Sequence, residues 1–389
     1  MTLLFTEGFD RYNDNFDMRY SGIWLMDGTA THSINATGSN FSTPCLQTTG
    51  NGTIFRTHNW RKMGLEVGAP TNPRGGPSNP INISFWLWID STDPPTSTQG
   101  DFMQFFQTGA GTGGNVESVS SNDRFAIELT AGSLLQVNRW DTSSSVSLIA
   151  SSATTTAMND STWRHIRLRF AGDNSTGIVQ IWVDGSLEVN LTSTDTLSDG
   201  SPTGDGLDCF QMRGGFGATS RIDDIIIWDE EGSDFAYSGA LPDGDFYIQT
   251  LRPNGNGNRT NFSTGGAGST NAGRVDTDEV VTQIGSETTY VESTTAGQDD
   301  LYTFTDLTGV ERNAYYACVA VARMRNPGFS TDQTARLLCR SDTTEENGTA
   351  RTLRGAHRVF KHAYFSDPDG GGDWTEAQIN AAEFGVENI

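Results

Sequence analysis

Three sets of side chains in this sequence have types and spacings that could do chemistry. The first is acidic. Asp223-Asp224 and Asp229-Glu230-Glu231 bracket the apolar run Ile225–Trp228. Glycosidic hydrolysis with retention needs two carboxylates about 5 Å apart across the scissile bond. An alternating Glu-x-Asp-x-Glu strand would supply them, and none occurs. The expected role of Asp223 and Asp224 is therefore to satisfy loop amides or hold strand register. The second set is Asp367-Pro-Asp369-Gly-Gly-Gly-Asp373-Trp374. A calcium loop needs about six oxygens and a closing bidentate Glu. This one ends without a further ligand and reads as a turn. The third set is aromatic and cationic: Trp86, Trp88 and Trp182, with Arg167 and Arg169. Sugars stack on tryptophan faces, and arginine donates to hydroxyls and carboxylates. These five residues are the candidates for glycan binding, or for an interface if a loop, a domain or a subunit covers them. The five histidines, His32, His58, His165, His357 and His362, are scattered singly. No Gly-x-Ser-x-Gly, His-Glu-x-x-His or Cys/His pairing appears. No catalytic residue, no metal ligand and no cofactor is assigned.

Strand alternation must position the aromatic set. In Trp-Arg-His-Ile-Arg-Leu-Arg-Phe, starting at Trp163, Ile166, Leu168 and Phe170 point one way. His165, Arg167 and Arg169 point the other way, onto an exposed face. Asp173, Asn174 and Gly177 carry turn chemistry. The return strand puts Val179, Ile181 and Val183 on one face and Gln180 and Trp182 on the other. Asp184-Gly185 turns the chain again. Ile83–Ile89 alternates likewise, with Ser84, Trp86 and Trp88 outward. The apolar face of such a meander needs a second layer, which predicts a β-sandwich.

Composition bounds the rest. The chain has 389 residues, 35% of them apolar, and a net charge of −23 from 48 acidic and 25 basic residues. Two domains are the natural expectation at this length. Only Lys62 and Lys361 are lysines. An acidic, arginine-dependent surface disfavours nucleic acid and anionic membrane and favours solubility or self-assembly. No stretch reaches the roughly 20 apolar residues of a membrane helix, and Met1-Thr-Leu-Leu-Phe does not read as a signal peptide. Cys45, Cys209, Cys318 and Cys339 have no zinc-type spacing. Whether Cys45/Cys209 or Cys318/Cys339 form disulfides stays open, with buried thiols as the plainer expectation.

The chain divides at a polar, Gly-rich stretch. Residues 1–232 form the first domain, 233–244 a linker and 245–389 a second sandwich for docking or oligomerisation. The second domain is expected to open with a strand over Phe246–Leu251, followed by a flexible Gly/Asn loop to Gly273. Ala314–Arg323 is apolar on both faces and reads as a central strand, pairing with Ala335–Arg340 and Arg358–Phe365. Thr375 caps a short helical turn before a last strand over Glu383–Glu387.

Two resemblances follow from these residues. Ile-Arg-Leu-Arg-Phe (166–170), Val-Gln-Ile-Trp-Val-Asp-Gly (179–185) and Ile-Asp-Asp-Ile-Ile-Ile-Trp-Asp (222–229) resemble the concanavalin A-like, laminin-G-type jelly roll. Leu-Leu-Phe-Thr-Glu-Gly-Phe-Asp (3–10) resembles its first strand in bacteriophage proteins. The second half, above all Trp374-Thr-Glu-Ala and Asn380-Ala-Ala-Glu-Phe-Gly-Val-Glu, resembles a C-terminal module of tailed-phage virion proteins. The resemblance implies an all-β protein of two tandem jelly-roll sandwiches that is a non-enzymatic component of the virion. It does not say where on the particle; the expected role is an exposed tail fibre, spike or baseplate-associated adhesin that meets other virion proteins and its own copies, taken as a trimer, with a glycan of the host surface as its expected ligand. Laminin-G-like modules often hold Ca2+, for which no ligands can be assigned here. A capsid decoration protein is the near alternative. A glycan depolymerase with an inter-subunit active site is the alternative of another class.

Overall fold

The computed structural model describes residues 2–8, 24–27, 31–35, 45–49, 53–57, 75–92, 99–106, 125–141, 145–149, 153–173, 175–196, 209–214, 219–231, 248–266, 270–275, 289–307, 315–326, 333–353, 355 and 358–389. The protein is all-β, and the described residues fall into two compact units, one ending at Ile248 and the other running from Gln249. No helix among the described residues is long and apolar enough to cross a membrane.

The first unit opens with β1 (Thr2–Glu7), β2 (Trp24–Asp27), β3 (Thr31–Asn35), β4 (Cys45–Thr49) and β5 (Thr53–Thr57). It continues with β6 (Ile81–Ile89), β7 (Gln99–Phe106), β8 (Phe125–Leu129), β9 (Leu135–Asp141) and β10 (Ser145–Leu148). The last five strands are β11 (Arg164–Ala171), β12 (Gly177–Val183), β13 (Ser186–Thr194), β14 (Cys209–Gly214) and β15 (Ser220–Asp229). An eight-stranded sheet runs β13-β12-β11-β6-β15-β4-β3, with β1 beside β15. A seven-stranded sheet runs β10-β9-β8-β7-β14-β5-β2. The chain passes repeatedly from one antiparallel sheet to the other, as in a jelly roll.

The expected meander forms, with Ile166, Leu168 and Phe170 opposite Val183, Ile181 and Val179. Their side chains are buried, as are Ile83, Phe85 and Leu87 on β6. Phe170 stacks on Phe125 of β8 with centroids 3.7 Å apart, and Phe125 stacks on Phe105 of β7 at 4.7 Å. These contacts fix which face of the eight-stranded sheet is the core. β15 bulges between Asp223 and Ile226, and beyond the bulge Ile226, Ile227 and Trp228 alternate between the two faces. Ile227 opposes Ile83 on the core side, while Ile226 opposes Ser84 on the outer side. Asp224 sits at φ +49° in this bulge. Asp223 Oδ1 accepts the Asp224 amide (2.9 Å) and Asp224 Oδ1 accepts the Ile248 amide (3.0 Å). These two carboxylates hold backbone amides, as their place beside an apolar strand suggested.

The second unit contains β16 (Pro253–Thr260), β17 (Ser263–Gly266), α1 (Ala272–Val275), β18 (Thr289–Glu292) and β19 (Asp299–Phe304). It continues with β20 (Cys318–Met324), β21 (Gln333–Ser341), β22 (Thr344–Asn347), β23 (Arg351–Leu353), β24 (Arg358–Tyr364), α2 (Glu376–Ala381) and β25 (Glu383–Asn388). A six-stranded sheet, β16-β19-β25-β21-β22 with β23 beside β21, packs on the pair β20-β24. Cys339, Tyr364, Trp374 and Phe384 form the core between them. Thr375 and Gln378 make a reciprocal capping box at the start of α2.

Four expectations are corrected in this unit. Residues 248–252 carry no strand; Phe246 and Tyr247 lie outside the described residues. The expected Gly/Asn loop instead begins with β16. Gly257 permits this, because a Cβ there would come within 2.8 Å of the Leu301 backbone on the neighbouring strand. The apolar strand near Cys318 is not central. It pairs with β24 alone among the described residues, and Val321 is 46% exposed. Its alternating Cys318, Ala320 and Ala322 pack inward, so one face suffices for the core. The Ala335–Arg340 segment pairs with β25, not with β20. Cys45, Cys318 and Cys339 are free thiols, and burial pushes the Cys318 thiol up to about 12.

Candidate glycan-binding face

Cross-strand partners share a face of a sheet, so the register of the eight-stranded sheet spells out its outer surface. Asn190, Gln180, Arg169 and Asn82 make one row across β13, β12, β11 and β6. Leu187, Trp182, Arg167 and Ser84 make the next. His165, Trp86 and Asp223 follow, and Trp88, Arg221, Gln47 and Ser33 end the face. All five sequence candidates therefore lie on this one face, but they do not form one cluster.

Arg169 is neutralised. Its Nε donates to Glu230 Oε1 at 2.5 Å and a terminal nitrogen to Oε2 at 2.9 Å. Its other terminal nitrogen reaches Gln180 Oε1 at 3.3 Å, and Gln180 donates to Asn190 at 2.8 Å. Asn82 adds a donor to Glu230 at 3.1 Å. Burial pushes the Glu230 carboxyl up, but Arg169 and Asn82 outweigh it and hold the group below its ordinary 4.5.

Arg167 lies over the Trp182 ring, its guanidinium carbon 3.9 Å from the centroid. The stack belongs to cation–π geometry. Arg167 is 8% exposed and Trp182 half-buried. Trp86 and His165 are 5% and 7% exposed, and their rings tilt together at 5.1 Å. His165 Nε2 lies 2.8 Å from Ser84 Oγ. The expectation of an exposed face around His165 is corrected: the Trp86 ring, one strand away, covers it.

Trp88 is remote in register from Arg167 and Arg169 and meets Arg221, with the guanidinium carbon 4.1 Å from the ring centroid. Arg221 Nε donates to Gln47 Oε1 at 2.9 Å, and Asn35 Nδ2 donates to the same oxygen at 2.8 Å. These four side chains are half-buried. Arg221, Gln47, Gln180 and Glu230 were not among the sequence candidates. Alternation places Arg221 on the same face as Asp223, but its partner depends on the β6–β15 register, which links distant parts of the chain.

Trp86, Trp88 and Trp182 thus each have a cationic or imidazole neighbour against the ring. The face offers guanidinium and amide donors beside indole edges, the chemistry that meets hydroxyls and carboxylates. Its carboxylates are engaged in holding the face, Glu230 by Arg169 and Asp223 by the Asp224 amide. On the outer side of the other sheet, Glu128 accepts from Gln136 and Asn138, both at 2.5 Å. Asp101 lies opposite Glu128 in register. The acidic loop at Asp367 is a turn: Asp367 is buried, bonded to Gln378, and its carbonyl accepts the Gly371 amide at 2.8 Å. Among the described residues no three His, Cys, Asp or Glu side chains could hold a metal ion.

A scan against family models and a search of curated proteins return no match. Solved structures of low similarity exist. A carbohydrate esterase from Shiga toxin-encoding bacteriophage phi24B has 17% identity and a TM-score of 0.34, over 58% of this chain and 97% of that one. An alginate lyase from a Chlorella virus has 11% identity and a TM-score of 0.35, over 58% and 99%. A xylan-binding domain from Paenibacillus barcinonensis has 12% identity and a TM-score of 0.28, over 58% and 98%. At such TM-scores these similarities carry no argument about function.

Proposed function

We propose that this chain is a non-enzymatic structural protein of a tailed-phage particle, an exposed appendage whose outer sheet face binds glycan on the host surface. The observation that carries the binding role is the pair of arginine–tryptophan stacks, Arg167 on Trp182 and Arg221 on Trp88. A sheet face supplies rigid positions, and indole rings with fixed guanidinium donors suit sugar hydroxyls. The virion role rests on the sequence resemblance. Self-association, taken as trimeric, and contact with other virion proteins belong to the same reading, since weak sites repeated on a symmetric particle gain strength by avidity.

The test is binding of fluorescently labelled protein to host cells and to a glycan array. Trp88→Ala and Trp182→Ala should each lower the signal while the protein stays folded. Protein that ignores both cells and array removes the adhesin reading.

A second reading is a depolymerase, and the observation favouring it is the Asp101–Glu128 register. The pairing is irregular on both sides of Asp101, and bulges of this kind are over-represented next to active sites. Turnover of host polysaccharide by the purified protein, abolished by Glu128→Gln, would replace the non-enzymatic reading with this one.

A further inference from the structure

We infer that Arg221, held by Trp88, Gln47 and Asn35, is a subsite for a carboxylate-bearing sugar, so that the glycan bound by this face is an acidic polysaccharide. The inference rests on the glycan-binding reading and names its substrate class.

The observation is what surrounds the charge. Arg164 meets Asp160 and Asp184, Arg169 meets Glu230, Arg336 meets Glu387 and Arg340 meets Glu383. Arg221 makes no ion pair among the described residues. It is fixed by neutral groups: the Trp88 ring on one face of its guanidinium and the Gln47 carboxamide oxygen at its Nε. Asn35 pins that oxygen in turn. Asp90 feels the Arg221 charge at a distance, but its Oδ1 is occupied by the Thr92 amide and hydroxyl, both at 2.8 Å.

A guanidinium has five N–H donors in a planar fork. One is used among the described residues, and the terminal pair is the part that grips a carboxylate through two parallel hydrogen bonds. The ring and the amide restrict the side chain before any ligand arrives, which lowers the entropy cost of binding. On a chain of net charge −23, an anionic ligand is repelled overall. A local cation that, among the described residues, no protein carboxylate grips in an ion pair is the feature that reverses this.

The test uses the full-length protein on an array of uronate-containing polysaccharides, their methyl-esterified forms and neutral glycans. Wild-type protein should prefer the free acid over its ester by roughly 10- to 100-fold, the strength of a charge-assisted pair. Arg221→Gln should erase that preference and leave the weaker neutral binding. Arg221→Lys, which keeps the charge and loses the fork, should keep only part of it. A thermal melt of each variant establishes folding. Equal binding of acid and ester, or an Arg221→Gln variant with undiminished preference, overturns the subsite and leaves glycan binding standing. An array with no binding at all overturns both.

Discussion

Arg169 and Arg221 lie on the same sheet face, on strands that flank β6, and differ in what their charge does. Arg169 is gripped by Glu230 through two hydrogen bonds and linked onward to Gln180 and Asn190. Its region is a closed network that ties β6, β11, β12, β13 and the end of β15 together. Arg221 is held by an indole and an amide, and its terminal donors face no carboxylate among the described residues. The same residue type, placed by the same alternation, becomes structural in one region and ligand-ready in the other. What separates them is one acidic residue, Glu230, supplied by the chain just after β15.

Both regions stand on the core beneath, so the largest loss should come there. Phe170→Ala removes the ring stacked between the sheets and should cost about 3–5 kcal/mol in chemical unfolding. A loss under about 1 kcal/mol would mean the outer face does not depend on this contact. Glu230→Gln strips Arg169 of its counter-charge and should cost roughly 1–3 kcal/mol. Because the folded Glu230 value lies below its ordinary 4.5, this stability is fully present above that pH and is lost as pH falls through the folded value. Wild-type melting temperature should therefore drop below about pH 4.5 more steeply than that of the Glu230→Gln protein. Parallel curves would show that the pair does not contribute. Arg221→Gln should change stability by no more than about 0.5–1 kcal/mol, since among the described residues it breaks a stack and one hydrogen bond. A loss as large as that of Glu230→Gln would make Arg221 structural after all. Smallest of all, Gln47→Ala should leave stability within about 0.5 kcal/mol, while freeing the guanidinium and weakening acid-over-ester preference a few-fold.

The local pattern was legible wherever one face is buried. Ile166, Leu168, Phe170 and the Val179–Val183 alternation placed the meander and its core side, and the same alternation put all five candidate side chains on one outer face. Partner choice was not legible. The Trp88–Arg221 and Arg169–Glu230 contacts join segments more than 60 residues apart in sequence, because β15 enters the sheet beside β6. Burial of His165 was missed because alternation reports direction and says nothing of a cross-strand ring. In the second unit, β16 was misread because Gly and Asn disfavour strands in general, whereas here the missing side chains allow close approach to β19. The Cys318–Met324 strand was misplaced because Val319 and Val321 give its outer face an apolar look as well.

The central claim is that the outer face of the eight-stranded sheet receives the glycan. Hydrogen-exchange mass spectrometry of the full-length protein, with and without an acidic polysaccharide that it binds, tests this directly. The account predicts slowed exchange in peptides spanning β4, β6 and β15, around Gln47, Trp88 and Arg221. Protection confined to β8 and β9, around Glu128 and Asn138, would contradict it and move the binding site to the opposite sheet.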